Sequence, residues 1–239
     1  MKKIVIITGA NSGLGFQLAQ QLGDDDDCYV IGFVHSYNNV AQFEQILLDI
    51  TDYNQVMMTV QRIVETYGKI DILINNAGVY LDDPRKKKIS IINLSLQDLI
   101  NTLSVNYFSV FNLINLVCNL QKKNGYGRIV NISSGMGRFL EIEKFSYAYR
   151  VSKLLLNTLT IVYGKIFNEY EEDVAIVSVC PGWIKTKMGT EDAPLDVSIA
   201  VEYIVSLLFK EKKQVNGKFL RYGKELSWIE KVEETTFCD

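Results

Sequence analysis

Short, continuously apolar runs alternate along this chain with longer stretches of helical spacing. The first run, KIVIIT (Lys3–Thr8), is β-branched and shows no polar alternation. Behind it, Leu14, Leu18 and Leu22 recur every four residues, as on one face of a helix. CYVIGFV, FEQILLDI, KIDILINNAG, GRIVNISS, DVAIVSVCPG and finally NGKFLRY read as further strands. YNQVMMTVQRIVETYG, LQDLINTLSVNYFSVFNLINLVCNLQKK, YAYRVSKLLLNTLTIVYGKIF and VSIAVEYIVSLLFK read as helices between them. Strands apolar on both faces and separated by helices predict a parallel sheet of about seven strands, covered on both sides. Right-handed crossovers make such a sheet doubly wound. No repeat or low-complexity linker interrupts the pattern, so residues 1–239 are expected to form one domain.

Composition excludes more than it assigns. The chain is 48% hydrophobic and 22% charged, as soluble globular proteins are. A net charge of −3 argues against nucleic acid or an anionic membrane as partner. No uninterrupted apolar run reaches the ~18–20 residues of a membrane span. The apolar stretch after Lys2 and Lys3 is too short for a signal peptide. Cys28, Cys118, Cys180 and Cys238 are scattered, which predicts reduced thiols and a cytoplasmic location. With a single histidine, His35, and no Cys/His cluster, no metal site is expected. The charge runs Asp24–Asp27 and DDPRKKK (Asp82–Lys88) read as solvated loops, the second with a lesser prospect of steering a phosphate.

The chemistry begins where the first strand stops. VIITGANSGLG places Gly9, Gly13 and Gly15 between a strand and a helix. Glycine there permits positive φ and close backbone approach. The following helix N-terminus offers unpaired N–H groups to a pyrophosphate, at the place where a doubly wound sheet of the Rossmann type binds nucleotides. The spacing is Gly-x-x-x-Gly-x-Gly rather than G-x-G-x-x-G, and such a turn can serve packing alone. Further on, Asn75 and Asn76 end a strand, where they can cap a turn or bridge neighbouring strands. Tyr149 and Lys153, four apart, share one helix face; a nearby ammonium favours a phenolate, so the pair suits general acid–base work. Ser133 and Ser134 end the strand before them, able to bond a substrate oxygen.

Together these residues resemble the short-chain dehydrogenase/reductase family. Thr8–Gly15, Asn75–Gly78, Asn106 in SVNYFSVF, Ser134, Tyr149-x-x-x-Lys153 and Pro181–Thr186 stand in the family's order over nearly the whole chain. CPGWIKTKMG and the ending GKFLRYGKELSW look most like the carbonyl-reductase-like and C-factor-like branch. The resemblance implies hydride transfer between a nicotinamide cofactor and a carbonyl or alcohol. It makes Tyr149 the proton donor or acceptor. Lys153 would lower the Tyr149 pKa and hold the ribose, Ser134 would polarise the substrate oxygen, and Asn106 would hold a proton-relaying water. Gly9, Asn11, Ser12, Gly13, Leu14 and Gly15 would wrap the pyrophosphate and adenosine side. Asp49 and Ile50 would meet the adenine, and Asn76, Ala77 and Gly78 the adenosine ribose side. Pro181, Gly182, Ile184 and Thr186 would hold the carboxamide.

The chain departs from the family pattern twice. Ser134 precedes Tyr149 by 15 residues instead of about thirteen, with the insertion in GMGRFLEIEKFSYA. At the end of the second strand Val34 stands where an NAD-preferring enzyme carries a carboxylate. Beside it His35, with Ser36 and Ser12, can meet a 2′-phosphate, so NADP(H) is favoured and NAD(H) remains the alternative.

A short lid is expected around residues 183–197, with Trp183, Met136, Met188 and Phe139 as candidate linings of an apolar pocket. The helices carrying Asn106 and Tyr149 have little polar face, which predicts a homodimer or homotetramer. Two other readings stay open: a nucleotide-binding regulatory or signalling protein with vestigial activity, and a nucleotide-sugar epimerase or dehydratase.

Overall fold

A computed structural model describes residues 2–86, 89–139 and 143–227. Cys238, Lys87, Lys88, Trp228 and part of the 135–148 insertion lie outside the described residues. One sheet runs through the molecule in the order β3-β2-β1-β4-β5-β6-β7-β8. Its strands are β1 (Lys3–Thr8), β2 (Cys28–Val34), β3 (Glu44–Leu47), β4 (Ile72–Asn75), β5 (Tyr126–Ile132), β6 (Asp173–Val179), β7 (Lys218–Arg221) and β8 (Lys224–Glu225). The first seven pair in parallel; β8 folds back antiparallel. That eighth strand escapes the sequence pattern because it is two residues long. It is turned by Tyr222 and Gly223, both at positive φ, as a tight hairpin requires.

Alternate residues of each buried strand feed opposite cores. Val5 and Ile7 pack beneath α1 (Gly13–Gly23) and α6 (Val197–Leu208), with Leu18 and Ile204. Ile4 and Ile6 face the other layer, α2 (Tyr53–Tyr67), α4 (Ser109–Lys123) and α5 (Tyr147–Asn168), with Leu113, Leu156 and Phe167. Helix limits follow local chemistry. Asp52 caps α2 through the Gln55 N–H at 3.0 Å, and Gly68 ends it in the left-handed region.

The long pattern LQDLINTL…LQKK is one helical run with an interruption. α3 (Leu96–Leu103) passes through a π-helical turn, Ser104–Phe108, into α4. Asn106 sits in that turn; such turns gather at functional sites. The merged run, Leu96–Lys123, is long and apolar enough to cross a membrane, which the count of uninterrupted apolar residues does not reveal. Here Val110, Leu113, Ile114 and Val117 from it are buried against the sheet. A short α7 (Lys212–Val215) precedes β7.

The connection order places the site. β1 pairs β2 on one side and β4 on the other, so successive crossovers leave in opposite directions from that seam. A crevice opens outside the strand ends at such a switch point. Gly9, Asn76, Ser133 and Cys180 immediately follow β1, β4, β5 and β6 on that edge.

Candidate active site

Three strand-end segments are tied together at the switch point. Asn76 donates its N–H to Thr8 Oγ1 at 3.0 Å and its side-chain amide to the Thr8 carbonyl at 2.9 Å. The Ala77 N–H shares Thr8 Oγ1. Asn75 donates to Asn131 Oδ1 at 2.8 Å, and Asn131 to Thr160 Oγ1 at 3.0 Å, a buried polar ladder from β4 to α5. The asparagines therefore bridge strands, the second of the two roles their position allows.

The glycine turn is shaped by close approach. Gly9 has φ +67°, and a Cβ there would lie 2.9 Å from Ala77 Cα. A Cβ on Gly15 would collide with the Gly9 carbonyl and the Asn76 amide. These two glycines thus serve packing of β1, α1 and the Asn76 turn. Gly13, at φ +55° and exposed, faces Thr186, whose methyl lies 3.6 Å from where its Cβ would stand. Ser12 makes no side-chain bond to the start of α1, so the first N–H groups of that helix carry no side-chain cap. Leu14 is buried in the core.

At the end of β2, Asn11 Nδ2 lies 3.2 Å from His35 Nε2 and 3.1 Å from Ser36 Oγ. Val34 points into the core, and no carboxylate stands among residues 34–38. Asp49 accepts from the N–H and hydroxyl of Thr51, closing its own turn. Ile50 packs against the α2/α4 core and lines a groove with Phe108 and Asn112.

Tyr149 and Lys153 lie on the inner face of α5, both buried. Ser134 stands against the Tyr149 phenol, favouring its ionised form, and accepts the Met136 N–H at 3.2 Å. The two extra residues before Tyr149 leave that pairing intact. Lys153 Nζ donates to the Ile132 carbonyl at 2.7 Å and lies 5.6 Å from the Tyr149 ring centroid. A Cβ on Gly78 would lie 3.6 Å from Lys153 Nζ and 3.3 Å from Asn106 Oδ1. Asn106 accepts the Val79 N–H at 2.8 Å and donates to the Val79 carbonyl and Ser152 Oγ at 2.9 Å each. Its side chain clamps backbone. Burial raises the Tyr149 phenol well above its ordinary range; Tyr80 adds to that, while Ser134 and Arg85 oppose it. The same burial lowers Lys153 to about 8. Desolvation penalises the charged form of each.

On the lid side Tyr222 donates to the Pro181 carbonyl at 2.6 Å, and Gly182 turns at φ +81°. Ile184 is core, paired with Leu195. Thr186 accepts the Gly189 N–H at 3.0 Å, and Trp183 donates to the Gly189 carbonyl. Backbone bonds from Lys185 to Leu195 and from Leu195 to Trp183 close residues 183–195 into a loop. Trp183 and Phe139 are exposed, and Met188 is half-buried.

The acidic start of the run DDPRKKK departs from its solvated reading. Asp82 and Asp83 are each 1% exposed. Asp82 accepts the N–H groups of Ala148 and Tyr149, and Asp83 pairs with Arg85. Like charges adjacent in sequence suggest solvent, but here each carboxylate meets a separate donor across space. Tyr80, stacked on Tyr149, is another residue the motifs do not mark.

Residues 3–195 match the model of the family described as short chain dehydrogenase. The chain is 30% identical over 195 residues to 3-oxoacyl-(acyl-carrier-protein) reductase FabG of Buchnera aphidicola, covering 78% of this chain and 76% of that one. It superposes on carbonyl reductase Sniffer of D. melanogaster with a TM-score of 0.83 and 27% identity, over 95% of this chain and all of that one. It also superposes on the NADPH-bound carbonyl reductase from chicken fatty liver, with a TM-score of 0.82 and 24% identity, over 95% and 99% of the two chains.

Proposed function

The chain belongs to the short-chain dehydrogenase family, and from that premise we propose that it is an NADP(H)-dependent carbonyl reductase with Tyr149 as its acid. The observation that carries the reading is the burial of Tyr149 and Lys153, one helical turn apart on the inner face of α5, with Ser134 beside the phenol at the switch-point edge of the sheet. FabG and Sniffer, by their names, reduce carbonyl compounds.

The residues present fit a dinucleotide. The N–H groups at the start of α1 are without a side-chain cap, and Gly13 opens toward Thr186. His35, Ser36 and Asn11 form a polar cluster with no carboxylate to repel a 2′-phosphate. Gly9, Ser12, Gly13, Leu14 and Gly15 would form the phosphate turn. Asn76, Ala77, Gly78 and Lys153 would face the riboses, and Pro181, Gly182, Ile184 and Thr186 the nicotinamide end. When bound, that group supplies the hydride.

The chain's own residues manage the proton. Tyr149 stays a neutral phenol over the working pH range because it is buried, and a neutral phenol can donate its proton to the substrate oxygen. Ser134 holds that oxygen beside it. Lys153, with a pKa near 8, can pick up and release a proton at neutral to mildly alkaline pH. Asn106 keeps the Val79 backbone, and so the Gly78 turn, against Lys153.

Self-association belongs to the same reading. Phe108 and Phe111 on the α4 side and Val162 and Ile166 on α5 are exposed, and a groove of about 700 Å³ lies beside Phe108, Phe111 and Asn112. Asn112 Nδ2 is buried there without a partner among the described residues. Burial against a second copy would cover these side chains.

The test pairs binding with turnover. NADPH should bind more tightly than NADH in calorimetric titration. Tyr149→Phe should bind NADPH normally while losing about 100-fold or more of its turnover on a carbonyl panel. NADPH binding without turnover in the wild type would favour the regulatory reading.

A further inference from the structure

Tyr80 lies flat on the ring of Tyr149, centroids 4.2 Å apart and planes 23° from parallel. Its hydroxyl hydrogen-bonds Ser146, the residue just before α5. Two residues on, Asp82 holds the backbone N–H of Tyr149. Then Asp83 grips Arg85 with both carboxylate oxygens, at 2.9 and 2.7 Å. The free edge of the Arg85 fork reaches the lid, donating to the Met188 carbonyl at 2.8 Å and the Gly189 carbonyl at 3.1 Å. Arg85 Cζ also stands 5.8 Å from the Tyr80 ring centroid. One loop thus touches the ring of Tyr149, its backbone and the lid.

We infer that Tyr80 and Arg85 are positioning residues for the reductase reaction: Tyr80 backs the Tyr149 ring, and Arg85 latches the lid at Met188–Gly189 to the same stack. The role of Tyr80 rests on Tyr149 being the acid; the latch stands by itself.

Two physical features give the loop this role. Torsion about the bond to an aromatic ring is soft, and a stacked partner holds the ring in one plane. Proton transfer is sensitive to displacements well under an ångström, so that restraint acts on turnover rather than on cofactor affinity. The covered face is also closed to substrate, which leaves approach from the Ser134 side. Arg85 uses one edge of its planar fork for Asp83 and the other for two carbonyls, which a lysine cannot do. Around Tyr149 the polar and titratable groups are Tyr80, Asp82 and Arg85 from this loop, Ser134 behind β5, Cys180 behind β6, and Lys153 on α5. Arg85 is the cation on the loop side, and it favours the phenolate against burial.

Four variants test this: Tyr80→Leu, Tyr80→Phe, Arg85→Met and Arg85→Lys, with Tyr149→Phe as control. Hydrogen exchange of the cofactor-free protein reads the lid without any turnover. Arg85→Met should speed exchange at Gly189 and Thr190 by about ten-fold more than at Ile6 and Ile74 in the sheet, which report any loss of global stability as the buried Asp83 loses its partner, and Arg85→Lys should also speed it. Unchanged exchange in Arg85→Met overturns the latch. In steady-state kinetics with NADPH, Tyr80→Leu should lose about ten-fold in kcat with the KM for NADPH unchanged, while Tyr80→Phe, which keeps the ring, stays within about two-fold. Wild-type kcat in Tyr80→Leu, beside an inactive Tyr149→Phe, overturns the stacking role and leaves the acid assignment standing. An active Tyr149→Phe overturns the acid assignment, and the Tyr80 role with it, and leaves exchange to judge the latch.

Discussion

Asp82 accepts the backbone N–H of Tyr149 at 3.3 Å across 67 residues of chain. Its other oxygen takes the Ala148 N–H at 2.7 Å. These are the second and third residues of α5, the donors an N-cap side chain normally satisfies. Ser146, at the cap position, has φ 64° and makes no side-chain cap bond. Asp82→Ala should therefore lower unfolding free energy by about 1–3 kcal/mol. Asp82→Asn, which keeps one acceptor, should cost less. Urea denaturation of the three proteins measures the difference.

Lys153 links stability to pH. Its folded pKa is depressed by burial from 10.5 to about 8, so between those values the unfolded chain holds a proton the folded chain has lost. Stability then rises with pH across that window, and below pH 8 the full cost of burying the ammonium remains. Tyr149 acts oppositely but only above about pH 10, where the unfolded phenol ionises first. Lys153→Met should abolish turnover yet raise stability at pH 7 by about 1–3 kcal/mol, net of the lost bond to Ile132. The gain over wild type should shrink from pH 8 to pH 10. Denaturation midpoints at several pH values decide this.

His35 sits where a dinucleotide's 2′ substituent would arrive under the proposed binding mode, bonded to Asn11 and with no carboxylate among residues 34–38. His35→Asp introduces a charge that repels a phosphate and can accept from a ribose hydroxyl. NADPH affinity should fall about ten-fold or more while NADH affinity holds or improves. Paired calorimetric titrations of wild type and variant read the switch.

Gly15 and Gly68 separate two uses of glycine. A methyl on Gly15 would strike the Gly9 carbonyl and the Asn76 amide, whereas one on Gly68 meets nothing within 4 Å and suffers only from φ 77°. Gly15→Ala should cost about 2–4 kcal/mol and weaken nucleotide binding. Gly68→Ala should cost about 1 kcal/mol and leave binding alone. Thermal unfolding with and without NADPH distinguishes them.

Much of the architecture was legible in the chain because its signals are local. KIVIIT and DVAIVSV are apolar on both faces, and that alone demands cover from two helical layers. Asp52 and Gly68 mark the limits of α2 with side-chain and backbone chemistry a few residues wide. Tyr149 and Lys153 share a face because helix geometry puts them there. The two-residue β8 and the π-turn around Asn106 left no such mark, since neither changes the hydrophobic period around it.

The sequence by itself determined the seven parallel strands and the long helices between them, and where glycine turns and strand ends must lie. Hydrophobic period and turn chemistry are properties of neighbours along the chain. Only the tertiary structure decided what meets across the strand ends. The acidic pair Asp82–Asp83 reads as a solvated run until the sheet order β1-β4-β5-β6 brings it beneath α5 and beside the lid. Tyr80 is one aromatic among thirteen tyrosines until its ring lies on Tyr149. Burial of a charge or stacking of a ring depends on a partner distant in sequence, and the packing of the sheet selects that partner.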